Sequence, residues 1–387
     1  MKMKVKLSEV AVLINGDRGK NYPSQVDILE EGEMLFVNAG HLSNGTINFD
    51  GMNYISKEKY NSLNSGKFYK NDILYCLRGS LGKKALVREG IEGAIASSLV
   101  IIRPNIEKVY SEYLMFALDS PLIAEQLIKA NNGSSQPNLS AASVRQYEFD
   151  LPDKKTQVAI VDRLLIVKNI VEARKQQLQQ LDDLVKARFV EMFGDGDSPI
   201  KTVEELCFAI VDCPHTTPKY DGELKNPAIR TTEIKKGYII WETMRYVSDE
   251  EYKERTTRLK PEAGDIVYGR EGTFGNAAIL PKGHNFCLGQ RVMLLRPNYS
   301  KCTSEYLLYA VISDDVYRQA VERNNASTVA HVNVKDVKQF KIPLPSFDKQ
   351  NQFSTFVKQI DKSKVAVQKA LDEAQTLFDS LMQEYFG

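Results

Sequence analysis

Residues 151–194 read LPDKKTQVAIVDRLLIVKNIVEARKQQLQQLDDLVKARFVEMFG, and residues 344–387 read LPSFDKQNQFSTFVKQIDKSKVAVQKALDEAQTLFDSLMQEYFG. Neither segment contains a glycine or proline between its opening Leu-Pro and its closing glycine. Apolar residues recur at intervals of seven, which predicts two long helices with coiled-coil periodicity. The residues expected to pack helix against helix are Leu164, Val171, Leu178, Val185, Phe353, Ile360, Val367, Leu371, Phe378 and Leu381.

The two segments belong to a repeat that covers most of the chain. Asp72-Ile73-Leu74-Tyr75 matches Asp265-Ile266-Val267-Tyr268 at an offset of 193 residues, and the same offset holds without a gap from about Gly66 to Gly194. Two copies are too few for a solenoid, so we interpret them as two similar domains joined head to tail. Such a pair tends toward pseudo-two-fold symmetry, which predicts that the long helices pack antiparallel.

Each repeat has a compact part followed by a long helix. The compact part mixes β-rich runs, glycine-bearing turns and short amphipathic helices such as 111–130 and 304–322, which predicts an α+β fold. The expected segments are residues 1–150, the helix 151–194, residues 195–343 and the helix 344–387. Asp153 and Ser346 lie at equivalent positions as N-caps of the two helices.

Composition narrows the class of protein. The chain has 387 residues, 43% of them hydrophobic and 26% charged, with a net charge of +1. It therefore does not resemble an indiscriminate binder of polyanions, although local basic patches remain compatible with DNA binding. We expect a cytoplasmic protein without a signal peptide or membrane span. Five cysteines without CxxC spacing and four scattered histidines predict neither disulfides nor a metal site.

No catalytic motif is evident, and we predict no catalytic residue. Polar and basic side chains do recur beside glycines in the predicted turns. Arginine and lysine can contact phosphates or guanine, and asparagine and glutamine can contact adenine. The candidate DNA-binding residues of the first repeat are Arg18, Lys20, Arg78, Ser80, Lys83, Gln136 and Asn138. Those of the second repeat are His215, Thr216, Thr217, Arg270, Thr273, Asn276, Gln290 and Arg291.

The repeats differ most in these turns. Where the first repeat has 18–20 (RGK), the second has 215–217 (HTT), and Ser97-Ser98 is replaced by Gln290-Arg291. Similar scaffolds with different loop chemistry suit two different half-sites, although neutral drift of solvated turns would look alike.

The chain resembles the specificity (S) subunit of type I restriction-modification systems over its whole length. The order of compact domain, long helix, compact domain, long helix is that of the family. The segments 16–23 (GDRGKNYP), 78–82 (RGSLG), 133–140 (GSSQPNLS) and 212–218 (DCPHTTP), together with the Leu344-Pro345 entry to a helix, are also similar to it.

This resemblance implies a non-catalytic reader of double-stranded DNA. Each compact domain would be a target-recognition domain for one half of a bipartite, asymmetric site, and the helices would set the spacer and carry two methyltransferase (M) subunits. Restriction (R) subunits would join for cleavage. S-adenosylmethionine, ATP and Mg²⁺ would then bind to the partners, and no cofactor is expected in this chain.

Two alternatives remain from the sequence. One is a coiled-coil scaffold that binds proteins and has no DNA role. The other, which has less support, is a nuclease or methyltransferase whose site is assembled from distant residues.

Overall fold

The computed structural model describes residues 3–131, 138–194, 198–222, 224–272, 275–323 and 331–387. It divides into two compact units: unit 1 comprises Met1–Lys175 and Lys369–Gly387, and unit 2 comprises Gln176–Gln368. Each unit therefore contains one compact domain and a half of each long helix. This division cuts both long helices. The four segments delimited from the sequence therefore remain a prediction about the order of domains and helices along the chain.

Unit 1 is a mixed α and β structure. Its strands are β1 (Met3–Lys6), β2 (Ala11–Asn15), β3 (Met34–Val37), β4 (Leu42–Ser43), β5 (Thr46–Ile47), β6 (Tyr54–Ile55), β7 (Lys67–Phe68), β8 (Ile73–Cys76), β9 (Lys84–Leu86), β10 (Gly93–Ile95), β11 (Leu99–Pro104) and β12 (Glu148–Leu151). Its helices are α1 (Leu7–Val10), α2 (Lys57–Ser62), α3 (Ser111–Ala117), α4 (Pro121–Ala130), α5 (Ala141–Arg145) and the first part of α6 (Lys154–Phe193). The four-stranded sheets have the orders β2-β11-β8-β9 and β6-β3-β10-β7.

Unit 2 repeats this plan with fewer strands. Its strands are β13 (Ile200–Thr202), β14 (Cys207–Asp212), β15 (Asn226–Ile229), β16 (Arg245–Val247), β17 (Ile266–Gly269), β18 (Ala277–Ile279), β19 (Cys287–Leu288), β20 (Val292–Pro297) and β21 (Lys341–Pro343). Its helices are α7 (Val203–Leu206), α8 (Asp249–Arg255), α9 (Ser304–Val311), α10 (Asp314–Glu322), α11 (Val334–Lys338) and the first part of α12 (Phe347–Phe386). The sheet β14-β20-β17-β18 corresponds strand by strand to β2-β11-β8-β9. The predicted α+β fold and the duplication are confirmed.

The short helices differ from the prediction in one respect. The runs 111–130 and 304–322 each form two helices rather than one. In the first repeat Ser120 accepts a hydrogen bond from the backbone N–H of Ile123, and Pro121 occupies the first turn. Proline lacks an N–H and is tolerated only at a helix start, so the chain must begin a new helix there. Ser313 caps the second helix of the other pair in the same way.

The identical residues of the repeat form the scaffold. Asp72 accepts two hydrogen bonds from Arg103, both of 2.8 Å. In the second repeat Asp265 accepts the same two bonds from Arg296, at 2.9 and 2.8 Å. These charge-assisted pairs join the start of one central strand to the end of its neighbour.

A buried glutamine anchors the start of each long helix. Gln157 is fully buried and accepts a hydrogen bond from the backbone N–H of Tyr110, at 2.8 Å. Its amide nitrogen donates to the carbonyl oxygens of Lys108 and Pro152, at 3.1 and 2.8 Å. Gln350 makes the equivalent three bonds in unit 2, at 3.0 to 3.1 Å. Since all three groups are satisfied, each helix leaves its domain in a defined direction.

The long helices pack antiparallel within each unit. In unit 1 the beginning of α6 meets the end of α12, and Arg163 donates to the hydroxyl of Tyr385 at 3.1 Å. In unit 2 the end of α6 meets the beginning of α12, and Lys364 pairs with Asp182 at 2.5 Å. Of the predicted packing residues, those that are buried are Leu164, Val171, Val185, Phe353, Ile360 and Val367. Those that are half-buried are Leu178, Leu371, Phe378 and Leu381.

The closing phenylalanine of each repeat packs on the domain of the other repeat. Phe193 contacts Tyr306 with ring centroids 5.0 Å apart, and Phe386 contacts Tyr113 at the same separation. Each pair of aromatic rings lies in the core of its own unit. The repeated sequence thus gives a repeated contact. The end of α6 packs on the compact domain of the second repeat, and the end of α12 packs on that of the first repeat.

The five cysteines are free thiols. Burial raises the pKa of Cys287 and of Cys302 to about 12, so both stay protonated at neutral pH. Along the described ranges, none of the helices combines the length and apolar character needed to cross a bilayer.

Candidate nucleic-acid interface

The predicted turns of each repeat meet at one end of its central sheet. In unit 1 the register pairs Val100 with Asn15 and Leu99 with Cys76. The end of β2, the start of β11 and the end of β8 therefore lie side by side. In unit 2, Asp212 pairs with Met293 and Gly269 with Val292, which brings the corresponding turns together. We call these two loop clusters the strand-end surfaces of unit 1 and unit 2.

The strand-end surface of unit 1 presents two exposed arginines. Arg18 and Arg78 line one shallow depression with Tyr22 and Ser97. The carboxylate of the buried Asp17 accepts the backbone N–H of Arg18 at 2.7 Å, which fixes the turn that carries this side chain. Two arginines thus line one concave patch. Guanidinium groups placed in this way can donate hydrogen bonds to a phosphate or to a base edge.

The other candidates of unit 1 lie around this patch. Lys20, Ser80, Lys83 and Asn138 are exposed. Asn138 forms a bridge with Arg78, and the backbone N–H of Leu139 donates to Leu77 at 2.8 Å. Gln136 lies outside the described residues. The structure therefore places six of the candidates, together with Ser97 and Tyr22, on one part of unit 1 or in the turns that lead to it.

Arg270 of unit 2 is an inward-facing residue. Its side chain is buried, pairs with Asp212 at 2.9 Å and donates to the carbonyl oxygen of Val332 at 3.4 Å. From the sequence we expect Arg270 to be an exposed basic residue of a turn. The carboxylate that holds it, Asp212, lies 58 positions away and forms no local sequence pattern with it. In this conformation Arg270 positions the loop, and contact with DNA would require it to leave Asp212.

Glu271 carries the opposite charge from its counterpart. It lies where the first repeat has Arg78, and its two carboxylate oxygens are each 3.3 Å from a partner, Nε of Arg291 and Nδ1 of His331. Arg291 is exposed and has a φ of 65°. The same place on the two scaffolds therefore holds arginine in unit 1 and a Glu–Arg–His cluster in unit 2.

The remaining candidates of unit 2 have different partners. Gln290 donates to the hydroxyl of Thr217 at 2.9 Å. His215 is exposed and lies 3.5 Å from Asp212. Asn276 points inward and donates to the carbonyl oxygen of Ile234 at 3.2 Å. Thr273 lies outside the described residues.

The sequence did not single out Arg255, which links the turn at Thr216 to the chain at Leu288. It is buried, its Nε donates to the carbonyl oxygen of Leu288 at 3.0 Å, and its Nη2 donates to that of Thr216 at 3.2 Å. Nη1 pairs with the buried carboxylate of Glu251 at 3.3 Å. A Glu–Arg pair four positions apart on a short helix normally indicates a solvent-exposed pair, so the sequence contained a signal for the contact but none for its burial.

No group of three or more histidine, cysteine or acidic side chains suited to a metal ion occurs within the part of the chain that the structure describes. The strand-end surfaces instead combine arginines, amides and hydroxyls on turns. Such groups can donate to phosphates and base edges, or to any acidic surface.

Comparison with known proteins identifies the family. The sequence model described as "Type I restriction modification DNA specificity domain" matches residues 2–182 and 222–374. A curated relative, the type I restriction enzyme HindI specificity subunit of Haemophilus influenzae, is 25% identical over 186 residues, which are 47% of this chain and 40% of the relative. The EcoBI specificity subunit of Escherichia coli is 27% identical over 138 residues, 36% of this chain and 29% of the relative. The matched part thus spans well under two thirds of either relative.

Solved structures show the same fold. The S subunit of a type I restriction-modification system from M. genitalium has a TM-score of 0.56 at 16% identity, with 100% of this chain and 96% of that chain covered. A chain from a study of complex assembly and conformational transition of the type I R-M system has a TM-score of 0.58 at 17% identity, with 99% and 97% covered. The match of the family model over most of the residues, on a duplicated scaffold that carries these two surfaces, shows that this chain belongs to the type I restriction-modification DNA specificity family.

Proposed function

We propose that this chain is the DNA-recognition subunit of a type I restriction-modification complex and that each unit reads one half of a bipartite, asymmetric site. One observation carries the proposal: the central sheets of the two units correspond strand by strand, yet their strand-end surfaces hold different groups. Arg78 in unit 1 is matched by Glu271 in unit 2, and Leu77 by the buried Arg270. Two surfaces of one shape and unlike chemistry suit two unlike half-sites.

In this proposal the chain itself carries out no reaction. The long helices set the distance between the half-sites and dock two methyltransferase subunits, and restriction subunits join for cleavage. S-adenosylmethionine would bind to the methyltransferase subunits, and ATP and Mg²⁺ would serve the restriction subunits. The complex would act in the cytoplasm.

The proposal is tested by expressing the chain with the methyltransferase subunits of the type I system from the same genome and mapping N6-methyladenine in the host DNA. We expect one bipartite motif with a spacer of constant length. Methylation that does not depend on this chain would favour the protein-binding scaffold. Methyl transfer by the chain alone would make it an enzyme. Either result would contradict the proposal.

Substitution of Arg78 tests the reading by unit 1. We expect Arg78→Ala to lower discrimination at one base pair of one half-site by about 5- to 150-fold, which corresponds to the ~1–3 kcal/mol of a good side chain–base contact. The other half-site should keep its full specificity. Methylation mapping of the variant complex checks this, and equally weaker methylation of every site would make Arg78 a phosphate contact.

Arg88 provides the matched control. It is an exposed arginine of the same unit, pairs with Glu112 at 2.8 Å, and follows β9 at the other end of the central sheet. Arg88→Ala should leave both half-sites unchanged.

The length of the helices tests the spacer. Inserting four helical residues at corresponding positions of α6 and α12 lengthens each by about 6 Å. We expect the spacer to grow by one or two base pairs while both half-sites stay the same. Methylation mapping again provides the measurement, and an unchanged spacer in an active complex would show that the helices do not set the distance.

A further inference from the structure

Arg291 is held in an unusual way at the strand-end surface of unit 2. It directly precedes β20, its backbone has a φ of 65°, and its carbonyl oxygen accepts the N–H of Arg270 at 2.9 Å. A residue with a β-carbon is strained at positive φ, whereas glycine is not. The first repeat has Ser98 at the equivalent position. An arginine here therefore costs free energy that a glycine at the same position would save.

The side chain of Arg291 is held by a carboxylate at one side only. Oε2 of Glu271 lies 3.3 Å from its Nε, and the side chain is 60% exposed. Over the described ranges, neither terminal nitrogen of this guanidinium donates to another residue. Oε1 of Glu271 lies 3.3 Å from Nδ1 of His331, so the carboxylate is itself held from a second side.

This arrangement favours a base edge over a phosphate. A guanidinium whose Nε lies beside a carboxylate keeps two parallel N–H donors on its terminal nitrogens, and guanine offers two acceptors, O6 and N7, at a matching spacing. The negative charge of Glu271 would repel a phosphate brought to the same place. Beside a guanine the carboxylate is tolerated, because the cytosine N4 amino group of a G·C pair is a hydrogen-bond donor.

We propose that Arg291 reads a guanine in the half-site of unit 2 and that Glu271 is the positioning residue that orients it. This inference rests on the proposed function, since it names the base that the same surface recognises. It assigns Arg291 to base recognition beside a carboxylate, in contrast to Arg18 and Arg78, which line one exposed depression of unit 1.

Four variants in the complex with methyltransferase subunits test the proposal. Arg291→Lys keeps the positive charge and loses the two parallel donors. Arg291→Gly removes the side chain and accepts the positive φ, so it cannot fail through backbone strain. Glu271→Gln keeps the shape and removes the charge that holds Nε. Arg88→Lys, in the comparable surface pair with Glu112 of unit 1, is the control.

We expect Arg291→Lys and Arg291→Gly to lose discrimination for guanine at one position of one half-site by about 5- to 150-fold. Glu271→Gln should lose part of the discrimination at that same position, and Arg88→Lys should match the unmodified complex. Unchanged specificity at the other half-site and an unchanged unfolding midpoint would show that each variant is folded.

The outcomes separate this inference from the proposed function. If the unmodified complex methylates no bipartite motif, the proposed function fails. If it does, the inference is overturned by a half-site of unit 2 without a G·C pair or by full retention of guanine in Arg291→Gly. Near-normal behaviour of Arg291→Lys with uniformly weaker methylation by Arg291→Gly would also overturn it, because a phosphate contact gives that result.

Discussion

Replacing Arg255 by methionine is expected to destabilise unit 2 by about 3–5 kcal/mol and to abolish recognition of one half-site while the other is still read. The guanidinium links the turn at Thr216 with the chain at Leu288 and neutralises Glu251, whose side chain is only 9% exposed. Removing one partner leaves a buried carboxylate without its counter-charge, which costs far more than the pair itself contributes. Urea unfolding followed by hydrogen exchange, with methylation mapping of the complex, provides the measurement.

The double variant Glu251→Leu with Arg255→Met separates charge from shape. With both charges removed, we expect much of the lost stability to return, because no buried charge is left without its counter-charge. Recognition should stay impaired, since the bonds to Thr216 and Leu288 are still absent. If the single and double variants were equally unstable, the cost would arise from packing rather than from the unpaired carboxylate.

Replacing Asp265 by alanine is expected to cost a similar ~3–5 kcal/mol. Its carboxylate, which is 1% exposed, holds Arg296 with two hydrogen bonds and accepts the backbone N–H of Glu262 at 2.8 Å. These bonds to Asp265 raise the pKa of the Arg296 guanidinium. The guanidinium also stays charged without them, because arginine is not deprotonated in proteins. The loss should appear as faster hydrogen exchange in β17 and β20.

Asp72→Ala in unit 1 is the matched control within the same chain. Its partner Arg103 has a side chain that is 37% exposed, against 14% for Arg296, so water can solvate the released guanidinium more fully. We therefore expect a smaller loss of stability in unit 1. An equal or larger loss would show that solvent access to the arginine does not control the cost.

The duplication could be predicted from the sequence because the residues that form a scaffold must recur in each copy. The Asp72 and Asp265 pairs, the buried Gln157 and Gln350 and the closing phenylalanines all lie on the register of 193 residues. The long helices followed from the absence of glycine and proline and from the heptads. The division of the first predicted amphipathic helix into two is also marked in the sequence, by Ser120-Pro121, although the apolar pattern continues through both parts.

The candidate surface could be predicted only in part. Arg18 and Arg78 lie exposed in one depression, as glycine-bearing turns with basic residues suggested. Arg270 has the same residue type in an equivalent turn, yet it is buried against Asp212. The roles of Glu251, Arg255 and Glu271 were missed because each depends on a partner brought close by the fold.

From the order of residues alone one obtains two similar α+β domains, two long antiparallel helices and the set of turns that carry polar groups. Periodicity and helix breakers are properties of short segments, and repetition is found by comparing segments with each other. All three can therefore be recognised in the sequence without the fold. Only the tertiary structure separates the roles of those polar groups: Arg270 is buried against Asp212, whereas Arg291 is exposed beside Glu271. It also shows that Arg255, which lies on a helix, supports the turn at Thr216. Charge pairing and burial depend on distances across strand ends, and these distances exist only after the chain has folded.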